Sequence, residues 1–180
     1  MTKEHFADKL DVKAFAQAGG HLSGHDTLLR YRRLAEEAHG LHPDLRVDWS
    51  ADGDLRSAHG AGTQVWLRLK VGATFPMACQ RCLQSVDVPL EVDREFRFVA
   101  DEAQAEALDG DSDEDVLALS REFDLRALIE DELLMALPLV PRHERCPRPV
   151  KHASSAEDFE AANADKPNPF AALAQRHKPK

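Results

Sequence analysis

The sequence predicts an α+β fold: an antiparallel, strongly twisted sheet, open or partly closed into a barrel, packed by one long amphipathic helix and by N-terminal helices. A flexible tail completes it. Three observations carry this reading. Apolar residues alternate with polar ones from Leu45 to Phe98, a helical stripe follows Asp124, and the composition beyond Pro141 turns to Arg, Pro, Ser and Ala.

The sheet begins where Leu45, Val47 and Trp49 alternate with Arg46 and Asp48, and Ala51-Asp52-Gly53-Asp54 carries the residues of a hairpin turn. Val65, Leu67, Leu69 and Val71 then alternate with Gln64, Trp66, Arg68 and Lys70. The same pattern resumes through Val86, Val88, Leu90 and Val92, and Phe96 and Phe98 extend it. Two long strands joined around Cys79 to Cys82 make a ribbon with one apolar face, and Pro89 places part of it on an edge.

Three helices are expected. Asp11 caps a short one closed by Gly19-Gly20, and Asp26 caps a run from Thr27 to Ala38 in which Leu28, Tyr31, Leu34 and Ala35 share a face. Asp124 caps the third, whose Leu125, Leu128, Ile129, Leu133 and Ala136 form one stripe before Pro138 and Pro141 end it. Between sheet and helix, Asp101 to Asp115 carries eight acids and no base, the composition of a solvated loop. The expected organisation is therefore an N-terminal helical segment over 1–43, a core over 44–141 and a tail over 142–180, with an anchor at 166–173.

A chain of 180 residues suffices for one domain with a sizeable core. Its longest apolar run, Leu133 to Val140, contains a proline and is far below the roughly 20 residues a membrane span needs. The N-terminus mixes acids and bases without an apolar region, so no signal peptide is expected and the cytoplasm is the expected location. The net charge of -9 is unevenly spread: residues 1–33 carry +2, residues 34–140 carry -14 and residues 141–180 carry +3. Basic ends could touch RNA, and an acidic centre could dock a basic protein.

Three cysteines, an odd number, do not form a disulfide framework. Cys79 and Cys82 have the spacing at which two thiolates from one turn reach one tetrahedral ion, and His143 and Cys146 offer a third thiolate and an imidazole. These four form a candidate Cys3His zinc site; otherwise the thiols are structural and no cofactor is expected. The strand patterns flanking Cys79-Gln80-Arg81-Cys82 disfavour a thioredoxin-like redox pair, which needs a helix N-terminus. Glu130, Asp131 and Glu132 are consecutive, so they point in different directions and read as a solvated face. With no nucleophile elbow and no glycine-rich phosphate loop, the chain is not expected to be an enzyme. Arg30, Arg32 and Arg33, beside Tyr31, form the compact basic group nearest to an RNA or partner contact, and Arg176, His177, Lys178 and Lys180 form a second.

Four segments in order, Cys79 to Cys82, Asp101 to Leu108, Asp124 to His143 and Lys166 to Ala171, resemble the YceD family, large ribosomal RNA subunit accumulation proteins. The resemblance implies a non-catalytic cytoplasmic factor needed for synthesis, processing or stability of 23S ribosomal RNA. Its implied partners are the large-subunit ribosomal RNA precursor, a basic ribosomal protein, or both. Some relatives carry further cysteine pairs toward the C-terminus, where this chain has only Cys146. A small zinc-stabilised interaction module unrelated to ribosomes is the alternative.

Overall fold

The computed structural model describes residues 7–58, 62–110 and 112–148. The chain divides into two compact units, Met1–Arg145 and Cys146–Lys180, and every helix and strand described lies in the first. Five strands form one sheet in sequence order: β1 (His21–Thr27), β2 (Arg46–Ala58), β3 (Gly62–Ala78), β4 (Ser85–Val99) and β5 (Asp115–Ala118). The expected α+β class stands, with one correction to the sheet. β1 to β4 are antiparallel, but β5 joins β4 in parallel; the sheet is open, one of the two forms expected. A parallel partner needs a crossover, and residues between β4 and β5 supply one that contains a helix.

The alternation read from the sequence is the alternation of the two faces. Val47, Trp49 and Ala51 of β2, Val65, Leu67, Leu69 and Val71 of β3, and Val92, Phe96 and Phe98 of β4 are all buried. On the other face Arg68 donates twice to Asp93, both at 2.8 Å, and Arg56 donates to Glu95 at 2.9 and 2.7 Å while stacking 4.4 Å from the Trp66 ring centre. Pro89 faces Thr74 of β3, and β5 pairs only with Phe96 to Val99, so Pro89 stands on an unflanked edge as expected. Proline costs no ladder bond there.

The sequence places a hairpin turn at Ala51 to Asp54, yet β2 runs straight through it. Gly53 serves packing instead. A Cβ at Gly53 would lie 2.6 Å from a Phe15 ring carbon and 3.0 Å from the Ala16 backbone, so the missing side chain admits helix α1 (Val12–Gln17) onto the sheet. That helix forms where expected: the Asp11 carboxylate accepts from Ala14 N at 3.1 Å, Val12, Phe15 and Ala16 are buried, and Gly19 follows at φ 58°.

Asp26 does not cap a helix over Thr27 to Ala38. It lies within β1, one residue before its end, and a short 3-10 turn over Leu28–Arg30 precedes helix α2 (Arg32–Glu37). The carboxylate is buried and accepts from Trp49 Nε1 at 2.8 Å, Tyr31 Oη at 3.0 Å and Arg30 at 2.7 Å. Burial pushes its pKa up, but these donors and the Arg30 charge outweigh it and hold Asp26 below the ordinary carboxylate value. Segment 1–43 thus carries a strand as well as helices.

Contrary to the loop expectation, much of the Asp101 to Asp115 stretch is helical. Asp101 accepts from Gln104 N at 2.9 Å and caps helix α3 (Glu102–Asp109), and Ala105 is buried beneath it. Acids near the helix start are favoured by its dipole, which offsets their mutual repulsion. The last helix, α4 (Leu125–Met135), is capped by Asp124, which accepts from Ala127 N at 3.0 Å, and buries Leu125, Ile129 and Leu133. It spans 11 residues, shorter than the long helix expected. The tail beyond residue 148, its anchor at 166–173 and the basic group at 176–180 lie outside the described residues.

Because Asp26 is held low, its stabilisation is complete above the ordinary value of 3.8 and fades as the pH falls below it. Asp26→Asn should therefore cost about 1–3 kcal/mol at neutral pH, because it weakens the acceptor shared by three buried or half-buried donors. Urea unfolding across pH should show that difference narrowing in acid. Equal neutral-pH midpoints would contradict the role given to this carboxylate.

Candidate functional site

The turn between β3 and β4 brings the cysteine motif to the end of the ribbon. Cys79 N donates to Gln84 O at 2.9 Å and Leu83 N to Cys79 O at 2.8 Å, while Leu83 takes the left-handed conformation at φ 58°. The turn is tied to the segment after α4, because Gln80 N donates to Pro141 O at 2.9 Å. His143 follows: its backbone N–H donates to Cys79 Sγ at 3.5 Å, and its ring Nδ1 lies 3.5 Å from Cys82 Sγ. Cys146 is three residues further on, and the donor atoms of Cys79, Cys82, His143 and Cys146 lie within 4.8 Å of one another. Among the described residues no disulfide joins the cysteines. Burial pushes the Cys79 thiol up, but N–H groups of His143, Arg81 and Cys82 aimed at its sulfur dominate and lower it to about 5. This Cys3His group could hold a metal ion.

The three arginines expected at an RNA or partner contact each meet a carboxylate. Arg30 pairs with Asp26 at 2.7 Å, Arg32 with Glu36 at 3.2 Å, and Arg33 with Glu130 at 3.0 Å and Asp131 at 2.6 Å. Glu130 also accepts from the backbone N–H groups of Arg33 at 2.7 Å and Leu34 at 3.2 Å, so α4 caps α2. Tyr31 is buried with its hydroxyl on Asp26 and offers no stacking surface.

The groove bounded by α3, β4, β5 and α4 was not legible as a site. It has a volume of about 530 Å³, a floor that includes Phe96, Val116 and Leu128, and walls carrying Glu102, Glu106, Asp115, Asp131 and Glu132 against one base, Arg94. Arg94 pairs with Asp115 and lies 3.8 Å from Glu132. Glu132, expected on a solvated face, is buried; desolvation raises its pKa, Arg94 opposes the shift, and Asp115 and Asp131 reinforce it. The cap pattern Asp101-x-x-Gln104 was the sequence signal for α3. Nothing in the sequence brings that helix beside α4.

An open mixed sheet with an acidic groove and a thiol-rich turn defines an α+β protein with two candidate sites. Residues 67–175 match the family described as large ribosomal RNA subunit accumulation protein YceD, and the chain belongs to that family. It is 33% identical over 148 residues to the large ribosomal RNA subunit accumulation protein YceD of Haemophilus influenzae, a match covering 79% of each chain. No solved structure matches it. Among the described residues, no helix is long and apolar enough to cross a membrane.

A raised pKa means that ionised Glu132 opposes folding at neutral pH, and that the penalty disappears as the pH falls and the carboxyl protonates. Glu132→Gln should stabilise the protein at neutral pH by on the order of 1 kcal/mol, with the gain lost in acid. Thermal melts of both proteins across pH provide the check. A neutral-pH loss would instead assign Glu132 a net stabilising pair with Arg94.

Proposed function

We propose that the protein is a non-catalytic, cytoplasmic ribosome biogenesis factor needed for 23S ribosomal RNA to accumulate. In this proposal it acts by seating a basic segment of a ribosomal protein in the acidic groove. Family membership carries the first part. The groove supports the second, because five acids face one base over an apolar floor, the chemistry that a segment of alternating basic and apolar residues would complement. Direct phosphate contact is secondary in this proposal: Arg30 and Arg33 are engaged by Asp26, Glu130 and Asp131, and Arg32 is the most exposed of the three. Through that arginine group the large-subunit RNA precursor could add to a contact led by protein.

The test is the ratio of large- to small-subunit ribosomal RNA in a strain deleted for the gene. The ratio should fall and be restored by the intact gene. Glu102→Lys with Glu106→Lys, both exposed on α3, should restore it poorly while the purified variant melts within a few degrees of the parent. Arg30, Arg32 and Arg33 changed together to Ala should restore it better than the lysine pair. An unchanged ratio on deletion would overturn the proposal, and full rescue by the lysine pair would remove the groove from it.

A further inference from the structure

We propose that Cys79, Cys82, His143 and Cys146 bind one Zn2+ in a closed tetrahedral site that fastens the segment after α4 to the β3–β4 turn. The site is independent of the groove and of the function proposed above. A tetrahedral zinc with ordinary ligand bonds separates two sulfurs by about 3.8 Å and a sulfur from a nitrogen by about 3.5 Å. Cys82 Sγ and His143 Nδ1 stand at 3.5 Å, and the whole group falls within 4.8 Å, so side-chain adjustments of about an ångström complete the tetrahedron. Three soft thiolates and one imidazole favour zinc over the oxygen-seeking Mg2+ and Ca2+.

The backbone is arranged as such a site requires. The turn closes through Cys79 N to Gln84 O and Leu83 N to Cys79 O, and Leu83 adopts φ 58°, a conformation that costs a leucine energy and is held by its surroundings. The His143 N–H on Cys79 Sγ is the kind of second contact that orients a thiolate ligand. The Gln80 to Pro141 bond brings the second ligand segment to the first without metal, so the ion would lock an approach that the chain already makes. Four protein ligands leave no open position, which makes the site structural rather than catalytic. Binding deprotonates the thiols and releases their protons to solvent.

The full chain, purified without chelator, should contain about one zinc per molecule by elemental analysis. Replacing zinc with Co2+ should give the intense visible bands of a tetrahedral ion and the near-ultraviolet charge transfer of cobalt thiolate. Cys82→Ser and Cys146→Ser should each weaken Co2+ binding by more than about tenfold, beyond the loss of a secondary contact. Two separate ligand variants, each checked by circular dichroism, guard against one simply misfolding. Zinc far below one per chain that fails to load on addition of Zn2+, or the pale spectrum of six-coordinate cobalt, would overturn the proposal. So would undiminished Co2+ binding in both variants.

Discussion

The pairing of β3 with β4 is the constraint on which the rest depends. Its register runs unbroken from Val65 opposite Phe98 to Ala78 opposite Ser85. A slip of β4 by one residue against β3 would turn Val92, Phe96 and Phe98 out to solvent and bring Asp93 and Glu95 into the core. The same register delivers Cys79 and Cys82 to the turn, and sets Phe96 and Phe98 where β5 adds alongside. Both candidate sites are therefore consequences of one ladder, the thiol group at its turn and the acidic groove beside its far half.

Two buried acids show how the fold divides its charges. Asp26 gathers donors from Trp49, Tyr31 and Arg30, so its charge is stabilised and it joins the end of β1 to β2 and the start of α2. Glu132 has Arg94 at 3.8 Å as its counter-charge while Asp115 and Asp131 press on it. A carboxylate kept at such a position opposes folding, which fits a groove shaped for a cationic guest more than for stability alone.

Much of this was legible from the sequence because it rests on local rules. Period-two alternation placed the inner face of β2, β3 and β4, and the aspartate caps located α1 and α4. The failures share a cause, which is tertiary packing overriding local chemistry. Asp52-Gly53 has the residues of a turn, but Gly53 is glycine so that Phe15 can lie against it. Asp26 looks like a cap, yet its donors come from Trp49 on another strand and from Tyr31 in a different geometry. The acids of 101–115 suggested a loop because repulsion was weighed without Asp101's bond to Gln104 or the burial of Ala105. For the thiol group, the four residue types and their spacings were readable, whereas their convergence required the Gln80 to Pro141 contact. The groove was illegible because its acids come from α3, β5 and α4 and meet only in the fold.

In the function proposed above, the acidic groove meets a basic protein during large-subunit assembly. A photo-crosslinking residue in place of Glu106, on the exposed side of α3, tests it most directly in growing cells. The result expected is an adduct with a basic ribosomal protein, lost when Glu102 is changed to Lys in the same chain. An adduct made of RNA, or a protein adduct that survives the Glu102 change, would contradict the assignment of this groove.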